Sequence, residues 1–314
     1  MLRYLETFHK IRYLVSEIAI ASGQRPVGNE HWKFCAKKIV ERNYRYADAA
    51  ENVRWIVTPT KVTAHRELLL DYIPCNKFIS WAHQLVNIVR DESMLPNIYF
   101  NPALISGQDD FFSCDSHWTS LGARKYIEPI LGGVNISLEN ANLRFDDALH
   151  HGNCNFGATD PQYKEKTIHI EAPDYFEIFR TADHPVPDFS VRHGINPNGT
   201  AGRALIIHSS SYAYARGLFR SQFSSTTEVF SPYVPAKAVE EGNFDHVIVF
   251  MAERNCAVVY DGGCFGPLIN NSLKVKYIKD IAHELINFVG QDGATENDEK
   301  FMRALGHAWG GREE

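Results

Sequence analysis

Apolar positions recur along this chain at two periods, and the change from one to the other divides it. Leu2, Leu5, Phe8, Ile11, Val15 and Ile18 repeat at steps of three and four, as do Trp32, Cys35, Ala36, Ile39 and Val40. This spacing predicts two helices over residues 1–50, broken by the Gly- and Pro-containing stretch 22–28. They suit either a cover for a sheet or an oligomer contact. From Val53 onward short apolar runs alternate with amphipathic segments. Residues 53–58 read as a strand that Pro59 breaks, followed by a helix through His65 to Leu70. A clearer helix covers 79–90, where Trp81, Ala82, Leu85, Val86 and Val89 share one face.

Thr119 or Ser120 is placed to cap a further helix, which Pro129 is expected to end. Residues 132–200 lose the periodicity and are rich in Asn, Asp, His, Gly and Pro, so they read as an irregular insertion. The pattern resumes with strands at 204–207, 228–230 and 246–250, a short helix at 235–240, and an amphipathic helix carrying Ile278, Ile281, Ala282, Leu285, Ile286 and Val289. Residues 291–314 read as a polar tail, flexible to Glu299, with a short helix from Phe301. Alternating strands and helices predict an α/β core, spanning about 51–290, with a mostly parallel central sheet. Such sheets place ligands at the carboxyl ends of their strands.

With 314 residues and 44% hydrophobic content the chain can bury a substantial core. A formal charge of −6 gives no basic footprint for nucleic acid. No stretch approaches the roughly 20 consecutive apolar residues of a membrane span. Residues 1–6 lack the build of a secretory signal. A cytoplasmic protein is therefore expected if Met1 is the native start, and a periplasmic one if a signal has been removed. The six cysteines are scattered without a C-x-x-C pair, which suits reduced thiols. Asp146, Asp147, His150, His151, Asn153 and Cys154 lie close together, but without strong ligand spacing, and the expectation there is a polar turn and no metal.

Two stretches carry candidate chemistry. In Asp115-Ser116-His117-Trp118, the Asp115 carboxylate can fix the tautomer of the His117 imidazole and leave its other nitrogen to accept a proton, with Trp118 walling it from water. The plainer alternative is a helix start, with Asp115 binding backbone amides. In the second stretch the run 204–207 ends abruptly in His208-Ser209-Ser210-Ser211-Tyr212. A strand running straight into a helix N-terminus is a setting in which a serine can act as nucleophile beside backbone N–H groups. An ordinary serine-rich cap has the same composition.

Taken together, Asp115-Ser116-His117-Trp118 with Thr119, Gly122 and Ala123, followed downstream by the serine block, resembles the D-x-H-W signature of SGNH-hydrolase-like sugar O-acetyltransferases of the DHHW, alginate-acetylating type. Three further segments are similar to that family in the same order. They are 55–61, ending in Pro59-Thr60-Lys61, the stretch 98–104, and 246–254, ending in Glu253-Arg254. The resemblance implies a three-layer SGNH-like fold with Ser210 as nucleophile, His117 as base and Asp115 as orienting acid. Trp118, Ser209, Tyr212 and Arg254 would stand near the substrate, and Tyr163, Tyr175 and Phe176 are aromatics able either to stack on sugars or to fill core.

The family's serine usually stands in G-D-S or H-D-S, whereas here Ser209 precedes Ser210, so Ser209 and Ser211 stay open as nucleophiles. The implied activity is acetyl transfer through an acyl-serine to a carbohydrate hydroxyl, with no bound cofactor. The donor would be acetyl-CoA or a membrane acetyl-donor protein, and glycan-assembly enzymes would be partners. A carbohydrate esterase using the same triad, or a non-catalytic glycan-binding protein, are the alternatives.

Overall fold

The computed structural model describes residues 29–65, 81–91, 97–112, 117–132, 142–151, 164–182, 189–231, 234–253, 272–288 and 293–311. Its strands are β1 (Asn52–Thr58), β2 (Ile98–Tyr99), β3 (Arg144–His151), β4 (Lys164–Glu171), β5 (Phe176–Arg180), β6 (Ser190–Ile195), β7 (Arg203–His208), β8 (Ser225–Phe230) and β9 (His246–Ala252). Seven of them form one sheet in the order β2-β1-β9-β7-β8-β6-β5. The first five in that order pair in parallel, and β6 and β5 extend it as an antiparallel edge.

Because the central strands are covered on both faces, their sequences are continuously apolar rather than alternating. Val53, Trp55 and Val57 of β1, Leu205 and Ile207 of β7, and Val247 and Val249 of β9 face one core. Ile56, Ala204, Ile206, Ile248 and Phe250 face the other. Over the first core lie α1 (Asn29–Ala47), α3 (Trp81–Asp91), α6 (Ala236–Gly242), α7 (Ser272–Ile286) and α8 (Glu296–Gly310). Over the second lie α2 (Lys61–Ala64), α4 (Ser120–Gly132) and α5 (Arg216–Gln222). The result is a three-layer α/β fold of the expected class. None of the described helices is long and apolar enough to cross a membrane.

Four expectations change. The stretch expected to be irregular, 132–200, carries four strands. Of these, β5 and β6 complete the main sheet, and β3 pairs with β4 in a separate antiparallel ribbon. Asp146, Asp147, His150 and His151 therefore lie along a strand rather than in a turn, and Asp146 pairs with Arg144 at 2.6 Å. Pro129 does not end α4, which continues to Gly132 with Ile130 and Leu131 buried. The tail is not polar coil: α8 has fifteen residues and buries Phe301, Met302, Leu305 and Trp309 against the core. Its start is a capping box in which Thr295 accepts from the Asp298 N–H and Asp298 accepts from the Thr295 N–H at 2.8 Å. The expected helix through residues 2–18 lies outside the described residues, as do residues 66–70.

Candidate active site

The site forms where loops leave the carboxyl ends of β1, β7 and β9, beside the segment that follows β2. Strand β7 ends at His208, Ser209 is extended, and Ser210–Tyr214 winds as a tight 3-10 turn before α5 begins. Ser209 donates its N–H to the Phe250 carbonyl at 3.1 Å, which carries the sheet's hydrogen bonding one residue beyond the strand. Ser210 is thereby fixed as the first residue of the turn. Gly217 in α5 lets β4 approach closely, since a Cβ there would stand 2.1 Å from the Ile170 carbonyl oxygen.

His117 arrives from the other side. The backbone doubles back so that Phe111 and Trp118 form an antiparallel bridge, and Phe112 donates its N–H to the His117 carbonyl at 3.2 Å. The N-terminal turn of α4 then sits on the backbone of Asp110. Thr119 donates its N–H to the Asp110 carbonyl at 2.9 Å, and a Cβ at Gly122 would stand 2.2 Å from that same oxygen. This close approach accounts physically for glycine at position 122. The Asp110 carboxylate, buried, accepts from the Gly107 N–H at 2.8 Å and from Lys125 at 2.6 Å, fixing the preceding turn.

These two supports bring His117 Nε2 to 3.0 Å from Ser210 Oγ, across 93 residues of sequence. Among the three serines it is Ser210 that meets the imidazole. His117 is buried and Ser210 half-buried, so the hydroxyl is shielded without being sealed off. A hydroxyl and an imidazole nitrogen at this distance can exchange a proton directly. Asp115 and Arg254 lie outside the described residues.

The remaining expected residues take other places. Trp118 is buried among Tyr126 and Phe250, and its indole N–H donates to the Ser211 carbonyl at 2.8 Å. It ties the histidine segment to the serine turn. A ring tilted at 44° beside the imidazole belongs to Tyr214, with centroids 5.5 Å apart, a residue the sequence reading did not single out. Tyr212 is fully buried, and its hydroxyl donates to Glu228 at 3.1 Å, so it too is structural. The Ser209 hydroxyl is buried without a hydrogen-bond partner among the described residues. Tyr175 is half-buried: its hydroxyl accepts from Thr226 at 3.0 Å and Arg220 covers its ring at 4.2 Å. Phe176 is exposed on the sheet edge, and Tyr163 lies outside the described residues.

Beneath the serine turn lies a buried ionic cluster that the sequence reading missed. Glu228, in the middle of β8, is fully buried and pairs with Arg220 at 2.6 Å and Arg216 at 3.1 Å. Burial works to raise its carboxyl pKa, and the two guanidiniums together outweigh it, so the pKa is lowered. The discernible signal was a pair of arginines one helical turn apart preceding a lone carboxylate in the strand Ser225–Phe230.

His208 stacks on Phe230 at 5.3 Å, and burial lowers its pKa to about 4. Between the ordinary histidine value of 6.5 and about 4 the unfolded chain therefore binds a proton that the folded chain refuses. His208 should thus withdraw stability as pH falls through that window, by about 3 kcal/mol at its lower end. Melting temperatures from pH 7 to pH 4 should fall less steeply in His208→Phe than in the wild type, and parallel curves would refute this role.

No protein-family model matches the chain, and no curated protein matches it. Solved structures do. A DHHW family protein from Eubacterium siraeum DSM 15702 superposes with a TM-score of 0.57 at 13% identity, covering 76% of this chain and 88% of its own. The chain has a DHHW-type, SGNH-hydrolase-like fold. Bacillus cereus PatB1 is also similar, with a TM-score of 0.53 at 15% identity over 73% of this chain and 91% of PatB1. PatB1 with a sulfonyl adduct gives 0.51 at 14% identity, over 73% and 90% of the two chains. The O-acetyltransferase domain of Pseudomonas putida AlgJ is a looser likeness, at 0.48 and 14% identity, over 80% and 93%.

Proposed function

We propose that the protein is an O-acetyltransferase that carries an acetyl group on Ser210 to a hydroxyl of a sugar or polysaccharide. The observation that carries this reading is the 3.0 Å approach of His117 Nε2 to Ser210 Oγ at the carboxyl end of a central parallel strand. The DHHW-type fold supports it, as does the sulfonyl adduct of the similar PatB1, because sulfonylating reagents trap activated nucleophiles.

In the first step His117 takes the Ser210 proton as Oγ attacks the carbonyl carbon of an acetyl donor. Collapse of the tetrahedral intermediate expels the donor's leaving group, which receives that proton from His117, and leaves acetyl-Ser210. In the second step His117 takes the proton of a sugar hydroxyl, whose oxygen attacks the acetyl carbonyl. Ser210 departs with the proton, and the sugar ester is released. Asp115, two residues before His117, is assigned to orient the imidazole, and backbone N–H groups of the serine turn are assigned to the oxyanion, where each donor is worth about 10²–10³ in rate. The donor is acetyl-CoA or the acetyl group of a membrane partner. Arg254, two residues beyond β9, is assigned to the substrate.

Water in place of the sugar would make the same site an esterase. Incubation with p-nitrophenyl acetate and oligosaccharides of hexoses, hexosamines and uronates separates the two. Acetylated oligosaccharide that is absent with Ser210→Ala is the expected product. Free acetate alone across all acceptors would assign the site to ester hydrolysis.

A further inference from the structure

Lys61 places an ammonium group inside the site's supporting structure. It opens α2 just past the carboxyl end of β1, is 8% exposed, and donates from Nζ to the Phe112 carbonyl at 2.7 Å. Phe112 is the residue whose N–H bonds the His117 carbonyl, and its neighbour Phe111 is bridged to Trp118. The ammonium therefore grips the strand that lies directly against His117. Phe112 also packs its ring on Tyr214, the aromatic beside the imidazole, with centroids 5.2 Å apart.

The turn that carries Lys61 is itself held. Glu253, 3% exposed at the end of β9, accepts from the Thr60 N–H at 2.8 Å through one oxygen and from the Thr63 hydroxyl at 3.0 Å through the other. Thr60 also caps α2. A chain of contacts thus runs from β9 through the loop after β1 to the histidine segment. Its two ionisable members, Lys61 and Glu253, are buried, and Thr60 and Thr63 are half-buried. Removing such ions from water is costly, and apolar residues of similar volume would serve stability as well or better. What the ions add is direction, since each bond fixes one atom of the next segment.

We infer that Lys61 is a positioning residue for His117 and that Glu253 holds Lys61 in register. The inference rests on the acyl-transfer reading of His117 and adds residues through which that imidazole is aimed at Ser210. A displacement of about 1 Å in a reacting group can cost on the order of 10²-fold in rate. Lys61→Met preserves the stem and deletes the donor, so kcat/KM for p-nitrophenyl acetate should fall about 10²-fold, mainly in kcat. Lys61→Arg, which restores a buried donor, should recover most of that loss.

A second readout does not depend on turnover. The side-chain nitrogen–proton correlations of His117, assigned against His117→Gln, should shift in Lys61→Met and return toward wild type in Lys61→Arg. A folded Lys61→Met with wild-type imidazole correlations and a wild-type rate would overturn the inference. If Lys61→Met does not fold, Thr63→Val decides by loosening the same turn: shifted correlations support the inference and unchanged ones overturn it. If the wild-type protein cleaves no ester, the acyl-transfer reading fails by itself, while the imidazole correlations still show whether Lys61 holds His117.

Discussion

Glu228→Ala is expected to destabilise the fold by about 3–5 kcal/mol, lowering Tm by roughly 10 °C. The carboxylate is fully buried, and removing it takes from Arg216 and Arg220 the anion they share, leaving Arg220 with Glu177 at 3.2 Å on its more exposed side, with the Tyr212 hydroxyl also losing its acceptor. Most of the expected cost is the uncompensated charge left behind rather than the worth of the bonds themselves. Replacing all three charged residues by methionine should therefore recover much of the loss, because no buried ion remains. Thermal melts of the single and triple variants test this. A single variant within about 1 kcal/mol of wild type would mean that water reaches the arginines.

The cluster also bears on chemistry. Tyr212 and Arg216 belong to the turn and helix that follow Ser210, so Glu228 clamps the support of Ser210 from below. This is a second buried ionic device beside the Lys61–Phe112 contact. Each fixes one side of the pair, the cluster acting on the serine and Lys61 on the histidine.

Loss of either member of that pair is the other large effect. In His117→Ala the Ser210 hydroxyl loses its proton acceptor, and a neutral serine hydroxyl is a poor nucleophile near pH 7. The rate of acylation should drop by about 10³-fold or more, and Ser210→Ala should abolish the acyl adduct. Because the two residues act as one unit, the double variant should be no worse than the more damaging single one. Independent, multiplicative losses would mean that they serve different steps.

How much of this was legible in the sequence depended on what each residue faces. Strands β7 and β9 were readable because both their faces are buried, leaving unbroken apolar runs at 204–207 and 247–250. The abrupt passage from Ile207 to His208 and the serines marked the turn that holds Ser210. Strands β3 to β5 were not readable, because the β3–β4 ribbon and the sheet edge present residues such as Arg144, Lys166, Glu171, Glu177 and Arg180 to solvent and carry little apolar alternation. Helix α8 was hidden by polar residues around its capping box, although Phe301, Met302, Leu305 and Trp309 keep a helical spacing. Tyr214 gave no local sign of its role, and Lys61 stood out only as the end of the Pro59-Thr60-Lys61 resemblance, since the first acts across 97 residues from His117 and the second joins segments 51 residues apart. Contacts of that kind arise only when the sheet brings its loops together.

The most direct test of the central claim is intact mass and peptide mapping after treatment with an aryl sulfonyl fluoride and, separately, p-nitrophenyl acetate. The pairing of His117 with Ser210 predicts one adduct in the wild type, mapped to Ser210, greatly slowed in His117→Ala and absent in Ser210→Ala. An adduct on another residue, or equal labelling with and without His117, would contradict it.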